Sequence, residues 1–587
     1  MKINIIIIAI LLTSLNALSQ SAKEKHGKTF CNPLNLSYRF QPEAPFRREG
    51  ADPTVVLFKD SYYLFASKSG GYWKSDDLTD WNFITSNDLP WEDYAPTALN
   101  LGDTAMLFMA SHLWGDARLY KTNNPSTGKW EKVKEYPMYI MDPALFLDDD
   151  NRLYLYAGCS SRKPIYGVEL DLNTFEMKGE TVNLIYGNME EHGWEEGQGR
   201  GLKKRAPHIE GSWMTKYKGK YYLQYGAPGT FTWYGDGVYV AGNPLGPFVY
   251  QDYSPFSYKP TGFAQGAGHG STFKDKNGNW WHIATSSIGI KHRFERRICL
   301  YPAGFDQDNQ LYCNTTFGEF PQNVLPNSQK HPHSTFTGWM LLSGFKQATA
   351  SSQLDSFPVN HAFDENIQTW WAAKTNKADE YIQVDLGQLC KVFAIQVNFA
   401  EHNPGILGRT KEVFHQYVIE YSENGKTWKT AIDKSKNNKD VPHDYCQLKN
   451  SVKARYLKIR NVHVPDENFA IRDFRIFGLG TGEKPVPTKF IQWDRSNFNQ
   501  RYFFVKWKTV ENATGYLIEY GVEKDKLYNH FIVYNADNFE ASVLNKGLDY
   551  YFTIRTFNEN GVSERSEILE MPASGAYEGF RLPWVKY

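Results

Sequence analysis

The chain has 587 residues, enough for several domains that each bury a core. Lys plus Arg and Asp plus Glu both total 65, so the formal net charge is zero and a basic surface for nucleic acid or an anionic membrane is not expected. Aromatic residues make up 16% of the chain, a share that suits β-sheets and sugar-stacking surfaces.

The N-terminal segment has the pattern of a secretory signal peptide. Lys2 precedes an apolar run over residues 5–12, and the small residues Ala17 and Ser19 mark a cleavage site. The run is too short to span a bilayer, and no cysteine follows at once to carry a lipid. Residues 1–19 are therefore predicted to be a signal peptide. The protein is predicted to be exported to the periplasm or the exterior, without membrane insertion.

One phrase recurs five times: a small or acidic pair, a short apolar run, a polar turn and an aromatic-rich strand. The copies are DPTVVLFKDSYYLFAS from Asp52, APTALNLGDTAMLFMAS from Ala95, DPALFLDDDNRLYLYAG from Asp142, EGSWMTKYKGKYYLQYG from Glu210 and HGSTFKDKNGNWWHIATS from His269. Hairpin-like repeats with a period of about 40 to 50 residues are typical of a β-propeller with one blade per copy. Residues 28–325 are predicted to form this five-bladed, all-β domain.

The first residue of each copy is predicted to lie at one mouth of the central channel. Asp52, Asp142 and Glu210 would then surround one cavity together with His269. Glycoside hydrolysis needs a carboxylic acid to protonate the leaving oxygen and a carboxylate to activate water. A third carboxylate would raise the pKa of the acid by like-charge repulsion.

The repeat region resembles glycoside hydrolase family 43, whose members are inverting five-bladed propellers acting on β-xylosides, α-L-arabinofuranosides and some galactans. The resemblance rests on GADPTVV, MDPALF, APHIEGSW and GAGHGSTF. It implies that Asp52 is the general base, Glu210 the general acid and Asp142 the residue that tunes and orients the acid. It also implies that His269 helps to hold a channel ion, usually calcium, through water.

Substrate contacts are expected from an arginine and from tryptophans. In the family an arginine of the last blade meets the sugar, and FERRICL offers Arg296 and Arg297. Consecutive strand residues face opposite sides, so only one points inward; Arg297 is favoured. Trp114, in the loop SHLWGD, and Trp73 are the candidates for sugar stacking.

After a linker at 326–335, residues 336–479 contain short β-type segments that predict a β-sandwich. ATASSQ, HAFDENIQTWWAA, YIQVDLG and FAIRDFRIFG resemble the discoidin, or coagulation factor 5/8 type C, module. This resemblance implies carbohydrate binding and a structural calcium loop that includes Asp364 and Thr369; a spacer role is the alternative. Residues 486–572 resemble a fibronectin type III domain.

The six cysteines are widely spaced, without a C-x-x-C pair, so a metal cluster is not expected. Cys31 and Cys313, at the two ends of the propeller, are candidates for a disulfide, while Cys390 and Cys446 lie in the second unit. Buried free thiols are the alternative.

The sequence thus favours a secreted, monomeric exo-glycosidase that releases xylosyl or arabinofuranosyl residues from plant polysaccharides. The expected partner is an oligo- or polysaccharide, and the chemistry itself needs no cofactor. One alternative is a β-1,3-galactan hydrolase of the same fold. Another is a non-catalytic carbohydrate-binding protein with a degenerate propeller, whose hallmark would be a lost acid; all three acids are present.

Overall fold

The computed structural model describes residues 27–90, 93–112, 115–196, 207–231, 233–324, 334–496 and 498–578. The predicted signal peptide and most of the predicted linker lie outside these residues. Within the described ranges, no helix has the length and apolar character needed to cross a membrane.

Residues 54–313 form five antiparallel sheets of at least four strands each, the blades. Blade 1 contains Thr54–Phe58, Ser61–Phe65, Gly71–Ser75 and Asn82–Thr85. Blade 2 contains Tyr94–Leu101, Ala105–Ser111, Ala117–Thr122 and Glu131–Tyr136. Blade 3 contains Ala144–Leu147, Leu153–Ala157, Ile165–Leu170 and Met177–Ile185. Blade 4 contains Glu210–Tyr217, Lys220–Ala227, Gly235–Ala241 and Val249–Tyr250, with Ser257–Tyr258 added beside the third strand. Blade 5 contains Gly268–Lys274, Trp280–Ser287, Arg296–Phe305 and Leu311–Cys313.

The blades close into a ring through their first strands. Each first strand contacts the first strands of the neighbouring blades, and that of blade 5 contacts that of blade 1. The second strands are buried on both faces, as in Ser61–Phe65 and Leu153–Ala157, because adjacent blades stack on either side. This arrangement is the predicted five-bladed propeller.

A left-handed backbone bend precedes or opens the first strand of every blade. The φ angles are 52° at Asp52, 47° at Ala95, 49° at Asp142, 60° at Gly211 and 47° at His269. Non-glycine residues adopt this region rarely, so a bend shared by five copies is a constraint of the repeat. The predicted alignment was wrong by one residue in blade 4, since Gly211, and not Glu210, occupies the repeated position.

The second unit consists of eight connected strands that enclose one hydrophobic core. Its strands are Met340–Leu341, Gln347–Ala350, Trp371–Ala372, Tyr381–Phe399, Gln416–Ser422, Lys429–Asp433, His443–His463 and Ala470–Leu479. Trp371, Ile395 and Phe474 belong to the buried cluster that these strands enclose. The all-β structure of this unit is consistent with the predicted β-sandwich.

The third unit consists of two sheets. One contains Phe490–Arg495, Tyr502–Trp507, Asn538–Ser542 and Ala576–Glu578. The other contains Gly515–Gly521, Asn529–Tyr534, Tyr550–Asn558, Gly561–Val562 and Leu569–Met571. Trp507 and Tyr550 are buried in the shared core. A fibronectin type III relationship stays a prediction.

The second unit is joined to the propeller by buried charged groups. Nε of Arg48, in the segment before blade 1, donates to Glu401 at 2.7 Å, and its guanidinium also pairs with Asp440 at 2.8 Å. Nε of Arg297, in blade 5, donates to Nε2 of His443 at 2.8 Å. Arg48, Arg297 and His443 are buried, so these contacts form a fixed interface.

The third unit packs on the acidic loop at residues 188–196, which follows blade 3 of the propeller. Gly193 N donates to Leu544 O at 3.1 Å, and Arg501 pairs with Glu196 at 2.9 Å. The loop therefore serves as a docking surface between units.

All six cysteines are free, and the suggested Cys31–Cys313 disulfide is absent. The Cys31 thiol instead donates to Glu319 O at 3.1 Å. The alternative of buried free thiols describes Cys31, Cys299, Cys313 and Cys390.

We expect Glu401→Gln to lower the free energy of unfolding by about 3 kcal/mol. Removing one partner of a buried ion pair costs about 3–5 kcal/mol, and the lower end applies because Asp440 still faces Arg48. Urea denaturation followed by fluorescence measures this change. The matched control is Glu423→Gln, at an exposed turn of the same unit. Equal midpoints for the two variants would contradict a stabilising interface.

Candidate active site

Asp52 lies at the bend before blade 1 and is held by residues of blades 1 and 5. Its Oδ2 accepts a hydrogen bond from the Ser67 hydroxyl at 2.5 Å, and its Oδ1 accepts one from Arg296 at 3.0 Å. Its backbone N donates to Thr285 Oγ1 at 2.8 Å. These bonds fix the carboxylate, which is 5% exposed.

Asp142 and His269 occupy the corresponding bends of blades 3 and 5. Ser111 Oγ donates to Asp142 Oδ1 at 3.2 Å and accepts from its backbone N at 2.7 Å. His269 Nδ1 lies 3.3 Å from Asp52 Oδ1 and 4.0 Å from Asp142 Oδ2. The imidazole therefore stands between the two carboxylates.

Glu210 completes the group from blade 4. One carboxylate oxygen of Glu210, one of Asp142 and one ring nitrogen of His269 all lie within 4.8 Å of one another. Tyr234 donates its hydroxyl to Glu210 Oε1 at 2.6 Å. The other oxygen, Oε2, contacts His208 Nε2 at 3.2 Å and the Cys159 thiol at 3.3 Å.

Gly211 makes room for the histidine. A Cβ built on Gly211 would stand 2.4 Å from Cγ of His269, and the φ of +60° also favours glycine. The glycine after Glu210 therefore lets blade 4 approach the imidazole closely.

The pKa values of Asp142 and Glu210 are shifted in opposite directions by burial and by their charged neighbours. Burial, and the like charges of Glu210 and Asp52, raise the pKa of Asp142 to about 6 although His269 opposes this. Burial would raise the pKa of Glu210 too, but the hydrogen bond and charge of His208, with His269 and Tyr234, lower it to about 2. Without substrate, the expected upward shift thus falls on Asp142 and not on the predicted acid.

Both histidines near the carboxylates are stabilised in the charged form. The hydrogen bond to Glu210 raises the pKa of His208. Burial would lower the pKa of His269, but Asp52, Asp142 and Glu210 together raise it. A cation among three carboxylates offsets their mutual repulsion.

The prediction for the arginine pair was wrong. Arg296 points to the centre, where its guanidinium bridges Asp52 and Glu49, each at 3.0 Å. Arg297 points to the second unit and His443. The alternation rule separated the two correctly, but the sequence did not show which side was inward.

Of the two predicted stacking tryptophans, only Trp73 lies within the described residues, and it does not reach the site. Trp73 is fully buried, donates Nε1 to Ser37 Oγ at 3.1 Å and packs edge-on against Phe83. Trp114 lies outside the described residues. Aromatic surface near Arg296 comes from Phe294, whose ring the guanidinium covers at 4.8 Å and which contacts Phe231 and Tyr94.

At both predicted calcium positions the described side chains contact one another. Calcium takes six to eight oxygen atoms, whereas His269 offers nitrogen and faces carboxylates directly. In the second unit, the Thr369 hydroxyl donates into both oxygens of Asp364 at 2.9 and 2.8 Å. The neighbouring Glu365 is committed to Arg475 at 2.8 Å. A channel ion held by His269 through water, and a structural calcium loop that includes Asp364 and Thr369, both stay predictions.

Sequence reasoning missed His208, Tyr234 and Cys159. His208 stands two residues before Glu210 in APHIEGSW, and this alternate spacing places both side chains on one face of an extended segment. That spacing was a usable signal. Cys159 follows the second strand of blade 3 and Tyr234 precedes the third strand of blade 4, and nothing local in the sequence links them to Glu210.

Comparison with known proteins agrees with this geometry. Residues 44–311 match the glycosyl hydrolases family 43, and residues 347–473 match the F5/8 type C domain. A β-D-galactofuranosidase, xynD, of Aspergillus niger is 25% identical over 236 residues, which cover 34% of this chain and 62% of that protein. A β-xylosidase of Xylanibacter ruminicola is 30% identical over 132 residues, 19% of this chain and 40% of that protein. The chain thus spans less than two thirds of either relative.

Among solved structures, the GH43 BlXynB protein of Bacillus licheniformis is 16% identical, with a TM-score of 0.41, over 77% of this chain and 99% of that chain. The family match, the closed ring of five blades and the clustered carboxylates together identify the first unit. Residues 44–311 are a glycosyl hydrolase family 43 domain, and residues 347–473 are an F5/8 type C domain.

Proposed function

We propose that this protein is an exported, inverting exo-glycosidase that removes terminal xylosyl or arabinofuranosyl residues from plant polysaccharides. The observation that carries the proposal is the convergence of Asp52, Asp142 and Glu210 around the His269 imidazole. A glycosidic bond needs two carboxyl groups with different tasks, and this group offers them in one place.

Asp52 is assigned the role of general base. It would accept a proton from a water molecule as the water oxygen attacks the anomeric carbon. Ser67 and Arg296 hold its two oxygens, so the carboxylate cannot turn away from the water. Orientation of this kind is a large part of the rate gain in such reactions.

Glu210 is assigned the role of general acid, giving a proton to the leaving oxygen. The His208–Glu210 pair holds the required proton, since His208 Nε2 lies 3.2 Å from Oε2. A bound sugar excludes water from this pair and so weakens the charged state of both partners. Transfer from Nε2 to Oε2 then gives a neutral acid beside the leaving oxygen.

Asp142 and Arg296 are assigned supporting roles. Asp142 lies within 4.8 Å of Glu210, and its negative charge opposes ionisation of the acid. Arg296 has a buried guanidinium beside the base and presents its cation next to Phe294. The guanidinium groups of Arg296 and Arg293 lie over the Phe294 ring at 4.8 and 5.0 Å, so this ring helps to hold Arg296 in place.

The sugar is tested with a panel of aryl glycosides. We include β-xyloside, α-L-arabinofuranoside, β-galactoside and β-D-galactofuranoside, the last because the Aspergillus niger relative carries that name. Preferential cleavage of the first two supports the proposed substrates, whereas cleavage of the others alone replaces them. Xylan side chains and arabinan serve as polymers for the same comparison.

Inversion at the anomeric carbon is the expected stereochemical result. Proton NMR of an early reaction mixture is expected to show the opposite anomer to that of the substrate before mutarotation. A β-xyloside would give α-xylose first. First appearance of the retained anomer would contradict the assignment of Asp52 as a base that activates water.

Two features of the whole protein belong to the proposal. Residues 1–19 are taken as an export signal, so the mature protein is periplasmic or extracellular, and it is taken as a monomer. The F5/8 type C domain is assigned a saccharide-binding role beside the catalytic domain, with which it shares the Arg48–Glu401 and Arg297–His443 contacts.

A further inference from the structure

A cluster of three potential metal ligands, Cys159, His208 and Glu210, shares its last two members with the candidate active site. The Cys159 thiol lies 3.3 Å from Glu210 Oε2 and 3.6 Å from His208 Nε2, and Nε2 lies 3.2 Å from Oε2. The three ligand atoms are thus mutually in contact. Hydrolysis as proposed above uses the carboxylate but gives the thiol no task.

These distances match three corners of a zinc tetrahedron. Zinc bonds are about 2.3 Å to sulfur, about 2.0 Å to imidazole nitrogen and about 2.0–2.2 Å to carboxylate oxygen. At tetrahedral angles such bonds set ligand atoms about 3.3–3.6 Å apart. The observed separations of 3.2 to 3.6 Å therefore need only small adjustments to receive the ion.

The surroundings orient the ligands as in known zinc sites. Ser161 Oγ lies 3.1 Å from His208 Nδ1 and can fix the tautomer whose Nε2 lone pair faces the ion. Tyr234 holds the other oxygen of Glu210 at 2.6 Å. Three protein ligands leave a fourth position for water.

The cluster is reachable and chemically selective. The side chain of His208 is 32% exposed and that of Glu210 is 15% exposed, so an ion can enter from solvent. A thiolate with an imidazole favours zinc over calcium or magnesium, which prefer oxygen. The neighbouring Asp142–Glu210–His269 group offers no sulfur and is the weaker zinc site.

We propose that Cys159, His208 and Glu210 bind Zn²⁺ and that the bound ion blocks hydrolysis by occupying the carboxylate of Glu210. Binding replaces the thiol proton of Cys159 and any proton on His208 Nε2, and both protons pass to the buffer; nothing is oxidised or reduced. The effect on rate rests on the proposed function, whereas the binding itself does not.

Binding is tested on the full chain with two probes. Zn²⁺ is titrated calorimetrically, and Co²⁺ is added as a spectroscopic substitute whose thiolate charge-transfer band reports the Cys159 bond. We expect one Zn²⁺ per chain and a cobalt band in the near ultraviolet. In Cys159→Ser and Cys159→Ala the band is lost and zinc affinity falls at least about 100-fold, beyond the 10- to 100-fold cost of losing an outer-shell partner. The matched control, Cys446→Ser in the second unit, keeps both signals.

Inhibition is measured as each variant's rate with zinc divided by its own rate without zinc. Zinc is expected to inhibit the wild type and Cys446→Ser, with recovery on addition of EDTA, and to lose its effect at the same concentration in the Cys159 variants. Equal zinc binding by wild type and Cys159→Ser, or no binding by the wild type, overturns the proposal. Cys159-dependent zinc binding without cleavage of any glycoside supports the site and counts against the proposed function alone.

Discussion

Asp52→Asn is expected to lower kcat on aryl glycosides by about 10²–10⁴-fold, the contribution typical of a positioned general base. Asparagine has nearly the same shape, so the binding of substrate and KM are expected to change little. The loss arises because a neutral amide cannot take the proton of the attacking water. Steady-state kinetics on the best substrate of the panel measures it.

Two companion variants separate a lost base from a damaged fold. Asp103→Asn makes the same change at an exposed turn of blade 2 and is expected to keep full activity. Asp52→Gly suits the φ of 52° and leaves space for azide, which needs no base. Azide is then expected to restore turnover and to yield a glycosyl azide of inverted configuration. Near-normal activity of Asp52→Asn would remove Asp52 from the mechanism.

Glu210→Gln is expected to cause a loss that depends on the leaving group. For alkyl or sugar leaving groups, which need protonation, kcat/KM is expected to fall by about 10²–10⁴-fold. For 2,4-dinitrophenyl glycosides, whose phenolate leaves without a proton, the fall is expected to be under about 10-fold. The ratio of the two losses is the measurement, and it is insensitive to the fraction of folded protein.

Glu180→Gln provides the control, because this residue is exposed on the outer strand of blade 3. It is expected to react with both substrates like the wild type. Equal losses on both substrates in Glu210→Gln would show that Glu210 acts by some means other than proton donation.

The sequence predicted the ring of blades because the repeat is a property of the backbone. An apolar run, a polar turn and an aromatic strand recur wherever a blade must pack on both faces, and the bends at Asp52, Asp142 and His269 recur with it. The repeat alignment therefore placed three of the four central side chains, Asp52, Asp142 and His269, at the correct bend. The repeat alignment placed Glu210 one residue away from its true position, because Gly211 occupies the bend of blade 4.

The site features that the sequence did not predict depend on contacts between segments far apart in the chain. Nothing local shows whether Arg296 or Arg297 faces inward; the answer comes from Glu49 and Asp52 on one side and His443 on the other. Trp73 is of a residue type that stacks on sugars, but its ring packs edge-on against Phe83. The low pKa of Glu210 likewise needs His208 and Tyr234 in place, and these are joined only by the fold.

The contacts Arg48–Glu401 and Arg297–His443 bear on how such proteins can be recombined. A chimaera that joins a foreign module to this propeller would remove Glu401 from Arg48 and His443 from Arg297. Arg297 is adjacent in sequence to Arg296, which binds Asp52. The two units are in this sense matched to each other through these contacts. A replacement module that preserves this interface needs a carboxylate at the position of Glu401 and an imidazole at the position of His443.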